Sequence, residues 1–565
     1  MTLLDHSRFY RYDELVAVLA ALAKEHPRYV KLEVLGQSHE GRDIMLVVLT
    51  DHESGAASDK PALWLDGNIH ATELSASAAC LYFIEWLLKG ISSNDEIAYA
   101  LSSRTFYICP RINPDGAEWA MAANPRYIRS STRRYPFDED VVEGLVVEDV
   151  DGDGQILDMR IEDSNGPWKC HPDDERLLVA RGPTDRGGRY YRVIPEGRFV
   201  NFDADRLTIA NDPEGLDLNR NFPSNWRQEF EQHGAGPYPG SEPEIRAILN
   251  FITAHKNICA GTTFHTYSGV LLRPSSQVAD DKMPPEDLWV YQTMGKKGET
   301  LTGYPALSMF HDFTYYPGQT LGGSFDWLYE HMGAFMWVVE IWDARREAGI
   351  ETKEYIHWFR EHPIEDDLKL LQWSDKELGG RGYLPWRPFT HPQLGPVEIG
   401  GWNRAYAFRN PPPDKREKEL ARFPEWLLWQ ALILPRLEWR EVRVECIDTS
   451  GPLGTYRVRA VLQNSGWLPS YVTKQALRRK LLRGLIVEID LPDGAKLVSG
   501  KARQEGGELE GRSGMHSAQG FALGDNATSD RAVFEWVVHA ATGGTVGIRA
   551  VHERAGRLQQ QLTLG

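Results

Sequence analysis

His70 and Glu73 stand three residues apart in the segment Gly67-Asn68-Ile69-His70-Ala71-Thr72-Glu73. An imidazole and a carboxylate with that spacing, at the start of a helix, can converge on one metal ion. Two ligands are too few. A catalytic zinc takes three protein groups and keeps one position for water. The third ligand must come from elsewhere in the chain, at a second strand end. His265, in Phe264-His265-Thr266-Tyr267-Ser268, meets that requirement. The pattern predicts a zinc site built from His70, Glu73 and His265. A lone His-x-x-Glu also describes an ordinary helix-end pair, so position in the fold is what favours the metal.

A second acidic pattern points to a different cation. Asp149-Val150-Asp151-Gly152-Asp153-Gly154-Gln155-Ile156 has alternating carboxylates and a turn glycine, the first half of an EF-hand-like calcium loop. Its twelfth position holds Arg160 where a carboxylate is needed, and Asp158 or Glu162 would have to substitute. The candidate calcium ligands are Asp149, Asp151, Asp153 and Asp158. Asp138-Glu139-Asp140 reads as a degraded second copy. The competing reading is an acidic, turn-rich loop without metal.

The elements that must position these residues are legible from hydrophobic periodicity. Leu15, Val16, Leu19 and Leu22 lie on one face of a predicted helix from 13 to 25. Strand-like runs follow at 30–35, 44–49, 62–65 and 105–109, with a helix from 73 to 89. The run at 62–65 is wholly apolar and ends at Asp66-Gly67, as a buried strand meeting a loop does. His70 therefore sits just past a strand end, where open α/β sheets bind ligands. Ser241-Glu242-Pro243-Glu244 predicts a capping box opening a helix to about 255. Strands at 258–264 and 334–341 and a helix at 354–378 complete the pattern. The alternation predicts an α/β domain over 1–380 with a mostly parallel or mixed sheet flanked by helices.

Two regions depart from it. Residues 134–212 are rich in Asp, Glu, Gly, Arg and Pro and too long for a plain loop, so they are read as an insertion with structure of its own. Joining the chain between Arg129 and Asn219, that insertion is expected at the rim of the site. Residues 381–435 read as a Pro-rich connection followed by a helix from 415 to 434. From 436 to 565, short alternating strands such as 440–447, 456–462 and 485–489, separated by Gly-rich turns, predict a β-sandwich.

Composition narrows the function classes. Apolar residues are 42% and charged residues 25%, with 18 Trp, 22 Tyr and 20 Phe, so the chain can bury a large core and is not disordered. The net charge of −17 repels phosphate backbones and argues against nucleic acid as a partner. Five scattered cysteines make a poor disulfide framework and suggest a reducing compartment. The first residues lack the apolar stretch of a signal peptide, and no run approaches the ~18 apolar residues of a membrane span. A cytoplasmic protein without a membrane partner is the expectation. The sequence does not speak to oligomeric state.

Several separated motifs, taken in order, resemble the zinc carboxypeptidases of the carboxypeptidase A type. They are His70-x-x-Glu73, Asn113-Pro114-Asp115-Gly116, Asp217-Leu218-Asn219-Arg220-Asn221-Phe222, His265-Thr266-Tyr267-Ser268, Gly322-Gly323-Ser324-Phe325-Asp326-Trp327 and Glu340 near a strand end. The likeness spans roughly 8–133 and 212–378. It implies a carboxypeptidase-like fold, zinc on His70, Glu73 and His265, and a peptide substrate. It implies that Glu340 is the catalytic carboxylate. Trp337, Val338, Val339, Ile341 and Trp342 surround it in sequence, an apolar setting that is costly for a bare charge. Asn219 and Arg220 resemble the pair that grips the substrate's terminal carboxylate, a task suited to a planar guanidinium. Arg129 resembles the oxyanion-stabilising arginine, with Arg133 and Arg134 as alternatives. Asp217 resembles the acid that orients the first zinc histidine. Tyr315 or Tyr316 stands for the tyrosine that closes over substrate.

The chain also departs from the family. Thr72 occupies a place where mammalian digestive members carry Arg, which removes an extra contact to longer substrates. Phe325 and Val338 fall where the family lines the pocket for the terminal side chain. Both are apolar, which favours an apolar or aromatic C-terminal residue over a basic one. The same zinc chemistry would serve an amidase acting on bacterial cell-wall peptides. A third reading is an inactive peptidase-like binding protein carrying the sandwich. The intact set of His70, Glu73, His265, Arg220 and Glu340 argues against it.

Overall fold

The computed structural model describes residues 4–136, 142–203, 206–313, 323–352, 354–515 and 526–565. Eight strands form the central sheet: β1 (Val30–Gln37), β2 (Asp43–Leu49), β3 (Ala62–Gly67), β4 (Thr105–Cys109), β5 (Ile258–Thr266), β6 (Val270–Arg273), β7 (Ala306–Ser308) and β8 (Phe335–Ile341). Their spatial order is β1-β2-β4-β3-β5-β8-β6-β7. The central strands β4, β3, β5 and β8 run parallel, while β1 and β2 join antiparallel at one edge and β6 pairs antiparallel with β8.

Every residue of β3 and β5 is buried, as parallel strands covered on both faces must be. One face packs Leu63, Leu65, Phe264, Trp337 and Val339 against the helices Leu74–Gly90 and Pro285–Thr302. The other packs Trp64, Met336 and Val338 against Ile245 and Ile248 of the helix Pro243–Ala254 and against Phe325 and Leu328. The site forms where β3, β5 and β8 end together.

Four expectations change in detail. The helix predicted at 354–378 is a short 3-10 turn, His357–Phe359, and then a helix Ile364–Leu378, because Pro363 separates them. The helix predicted at 415–434 is two, Pro413–Leu420 and Pro424–Leu432, broken at Pro424. Helix Pro243–Ala254 does begin on a proline, but no capping box closes it. Ser241 gives its hydroxyl to Glu242, and the Glu242 carboxylate is taken by Arg133. Finally, the Pro-rich segment is no mere connection. Tyr383–His391 and Gly395–Trp402 form an antiparallel pair. This pair joins the insertion strands Asp158–Glu162, Tyr191–Pro195, Trp168–Cys170 and Leu178–Ala180 in one six-stranded sheet. Tyr383–His391, which carries Pro385 and Pro388, is the edge strand of that sheet, where prolines are tolerated.

The C-terminal part is two four-stranded antiparallel sheets sharing one core that includes Tyr456, Val487, Trp536 and Ile548. It is bonded to the α/β part through buried groups. The Arg554 guanidinium donates to the carbonyls of Met332 and Gly333, just before β8. Asp287 accepts from the backbone N–H groups of Lys474 and Gln475.

Candidate active site

The polypeptide leaves β3 at Gly67, whose hydrogen in place of a side chain lets the strand end lie against Ala76; a Cβ there would stand 2.6 Å from the Ala76 carbonyl oxygen. Asn68 takes a left-handed φ of 58° and turns the chain. Its amide donates to the His70 carbonyl at 2.8 Å, so the turn fixes the backbone of the first predicted ligand. Glu73 is the N-cap of the helix Leu74–Gly90, yet its carboxylate does not cap it. That carboxylate faces inward instead.

His70, Glu73 and His265 meet. His70 Nδ1 lies 2.9 Å from Glu73 Oε1, His265 Nδ1 lies 3.0 Å from Glu73 Oε2, and the two Nδ1 atoms are 3.1 Å apart. All three side chains are buried. Two imidazole nitrogens and a carboxylate turned on one another in a buried spot are a donor set for a cation. Ligands about 2.0–2.1 Å from a tetrahedral zinc stand ~3.3 Å from each other, close to what is seen. The outer ring nitrogens are occupied. Asp217 Oδ1 is 3.3 Å from His70 Nε2, and Thr263 Oγ1 is 3.4 Å from His265 Nε2. That leaves both Nδ1 atoms for the metal. Burial pushes the Glu73 carboxyl up, but His70 and His265 more than offset it, and Glu73 is held well below the usual carboxylate range.

Glu340 reaches the same place from β8. It is the register partner of His265 on the adjacent parallel strand. Burial pushes its carboxyl up to about 8; His265 opposes this, Glu73 adds to it and Arg129 opposes it.

Arg129 is stitched to the His70 segment by backbone. The Ala71 N–H donates to the Arg129 carbonyl, Ser130 Oγ donates to the Ile69 carbonyl, and the Asn113 amide donates to the Ile69 and Ser130 carbonyls. Asn113, the N-cap of the helix Pro114–Ala120, therefore locks two site segments together. Arg129 Nε donates to Asp217 Oδ2 at 2.9 Å, and its Nη1 is 3.8 Å from Glu73. The side chain is still 44% exposed, so one edge of the guanidinium opens outward. Burial lowers the Arg129 pKa and its acidic neighbours Asp217 and Glu73 more than restore it. Of the two sequence alternatives, Arg133 is committed to Glu242 and Arg134 lies 3.6 Å from Glu214; neither reaches the ligands. Burial also pushes the Asp217 carboxyl up, and Arg129, Arg220 and His70 pull it well below its usual range.

Asn219 and Arg220 sit in the short turn Leu218–Arg220, capped by Asp217. The Asn219 carboxamide oxygen accepts from the Ser324 N–H at 3.3 Å. This is possible because residue 323 is glycine; a Cβ there would come within 2.2 Å of that oxygen. Arg220 Nη1 donates to the Asn219 carbonyl. Burial lowers the Arg220 pKa, and Asp217 counters it. Phe325 and Val338 lie in one buried apolar cluster with Leu218, Phe222 and Met309. Beside Phe325, Asp326 accepts from the Ser276 N–H; burial pushes its carboxyl up to about 7. Tyr315, Tyr316 and Gly322 lie outside the described residues, as does the acidic stretch Asp138-Glu139-Asp140.

The calcium expectation needs correction. Asp149, Asp151 and Asp153 approach within 4.8 Å of one another. Asp158 is not with them. It belongs to the strand Asp158–Glu162, and its carboxylate pairs with Arg404 at 3.0 Å. Asp149 accepts from the N–H groups of Gly152 and Gly154, and the Arg387 guanidinium bridges Asp151 and Asp153. Arg387 occupies two of the three carboxylates, and calcium finds no support.

One element of the site was invisible in the sequence. Arg409 and Asn410 come from the segment after the six-stranded sheet and bond to Thr72 and Ser75, on either side of Glu73. They lie some 335 residues away along the chain, and no local pattern marks them.

Comparison with known sequences adds the deciding observation. The family described as zinc carboxypeptidase matches residues 15–155 and 179–365, more than half of the chain. The chain belongs to the zinc carboxypeptidase family. Its members are metallopeptidases that act on peptides, and zinc is the family's metal. Residues 436–563 match a separate domain of unknown function. Among curated zinc carboxypeptidases, carboxypeptidase B of Astacus astacus is 25% identical over 352 residues, covering 60% of this chain and 88% of that protein. Carboxypeptidase A6 of Homo sapiens is 24% identical over 280 residues, 48% of this chain and 46% of its own. Carboxypeptidase A1 of Mus musculus is 22% identical, with 60% and 64% covered. The chain thus spans less than two thirds of the last two. Of solved structures, carboxypeptidase A from Helicoverpa armigera matches over 67% of this chain and 74% of that one, with 19% identity and a TM-score of 0.39.

Proposed function

We propose that this zinc carboxypeptidase removes the C-terminal residue from peptides, with Glu340 as the group that moves the proton. The observation that carries the reading is the register of His265 and Glu340, side by side on parallel strands, with Glu73 and Arg129 close enough to shift the Glu340 carboxyl. His70, Glu73 and His265 would hold zinc. Bound zinc supplies Lewis acidity, polarising the scissile carbonyl and lowering the pKa of water.

The remaining steps belong to the chain's own residues. Glu340 takes a proton from the attacking water and passes it to the departing amine nitrogen. A carboxyl with a raised pKa is suited to holding that proton between the two transfers. Arg129, fixed by Asp217 yet open on one edge, meets the negative charge that develops on the carbonyl oxygen. Arg220 and Asn219 grip the terminal carboxylate and set the cut one residue from the end. Phe325 and Val338 supply an apolar wall for the terminal side chain, which supports an apolar or aromatic preference. The insertion, joined at the Tyr135–Glu214 bridge a few residues beyond Arg129, would border the cleft and limit what enters. A cytoplasmic location remains part of the reading.

The test compares N-blocked peptides ending in a free carboxylate with the same peptides ending in an amide. Hydrolysis of the free acids alone is the expected result, and Arg220→Met should raise KM for them by about 100-fold, the loss of a charge-assisted pair. Equal cleavage of acids and amides would rule out the exopeptidase assignment.

A further inference from the structure

Helix Leu74–Gly90 begins with an unmet need. Its N-cap is Glu73, and a capping residue ordinarily gives its side chain to the first free N–H groups. Glu73 cannot do so, because its carboxylate is turned toward His70 and His265. The buried side chain of Asn410 supplies what is missing. Its Oδ1 accepts from the Ser75 N–H at 2.9 Å and from Ser75 Oγ at 2.8 Å. Its Nδ2 donates to the Thr72 carbonyl at 2.8 Å and to the Ala405 carbonyl at 2.9 Å. Arg409 adds a bond from Nη1 to Thr72 Oγ1 at 2.9 Å. The residues immediately before and shortly after Glu73 are therefore pinned by one side chain from outside the peptidase match, which ends at 365.

We propose that Asn410 is a positioning residue for the metal centre: by capping the helix in place of Glu73, it frees and orients that carboxylate as a ligand. The inference rests on the reading that His70, Glu73 and His265 bind zinc. Acting through Glu73, Asn410 touches neither metal nor substrate. Its segment is itself braced against the insertion, through Asn403 Nδ2 on Gln155 Oε1 at 2.8 Å and Arg404 on Asp158. The zinc-ligand segment, the insertion and the connector thus form one hydrogen-bonded unit.

The experiment measures zinc affinity of the full chain by competition with a chelating dye, for wild type, Asn410→Ala, Asn410→Asp and His265→Ala, with metal-free melting temperatures alongside. Asn410→Ala should bind zinc about 10–100-fold more weakly, the usual effect of losing a group that orients a ligand. Asn410→Asp keeps the acceptor for Ser75 and loses the bond to Thr72, so it should fall between. Should Asn410→Ala not fold, the affinity of Asn410→Asp decides. Variants less stable without metal but equal to wild type in zinc affinity would reduce Asn410 to a structural cap and overturn the proposal. Zinc binding that His265→Ala leaves intact would overturn the ligand assignment beneath it, a distinguishable failure.

Discussion

Asp217 Oδ1 lies 3.3 Å from Nε2 of His70, on the ring edge opposite the one that faces Glu73 and His265. An ionised carboxylate there accepts the Nε2 proton and leaves the Nδ1 lone pair free. Its other oxygen holds Arg129. One acid thus sets the tautomer of a proposed metal ligand and the aim of a cation.

Asp217→Asn should therefore damage two functions together. Zinc affinity should fall about 10–100-fold. With zinc in excess, kcat should remain depressed by about tenfold or more, because Arg129 has lost its charged partner. Chelator competition and steady-state kinetics at saturating zinc measure the two effects separately.

Glu244 provides a pH prediction remote from the metal. It is buried at the start of the helix Pro243–Ala254, and its Oε1 accepts from the His39 N–H. Burial pushes its carboxyl up to about 7, the His39 bond opposes this, and nearby Asp115 and Glu242 add to it. Those neighbours have arginine partners, Arg42 and Arg133. A carboxyl raised in the folded state stabilises fully below its unfolded pKa of about 4.5, and that contribution is lost as pH rises through about 7. Glu244→Gln should then raise the stability at pH 8 by about 2 kcal/mol and change it little at pH 5. Denaturant melts at the two pH values check the sign.

Arg554 ties the C-terminal sheets to the backbone just before β8. It is buried, so truncation strands the carbonyl of Met332 and leaves that of Gly333 with Thr473 alone. Arg554→Met should cost about 3 kcal/mol. Because β8 carries Glu340, activity should fall at a lower temperature than in wild type. Parallel thermal melts and residual-activity curves measure both.

Much of this architecture could be read from the chain. Hydrophobic periodicity located the central strands, and the reading that grouped His70, past a strand end, with Glu73 at the following helix start and His265 at a second strand end named three side chains that lie within reach of one another in the fold. Other features were hidden for physical reasons. The strands Tyr383–His391 and Gly395–Trp402 carry prolines that argue against a strand unless its edges are known. Arg387 pairs with Asp151 and Asp153 from more than two hundred residues away, so the acidic loop looked like a calcium site on its own. Asn410 completes the start of a helix whose own N-cap residue, Glu73, turns its carboxylate away. Such partners depend on tertiary placement, and local patterns do not record it.

The most direct test of the account is Glu340→Gln, measured for zinc content and single-turnover hydrolysis of an N-blocked peptide with a free C-terminal carboxylate. The substitution keeps the shape and removes the proton-carrying group. The account predicts zinc content equal to wild type and a fall in the hydrolytic rate of about a thousandfold or more. Hydrolysis at the wild-type rate with zinc in place would contradict it.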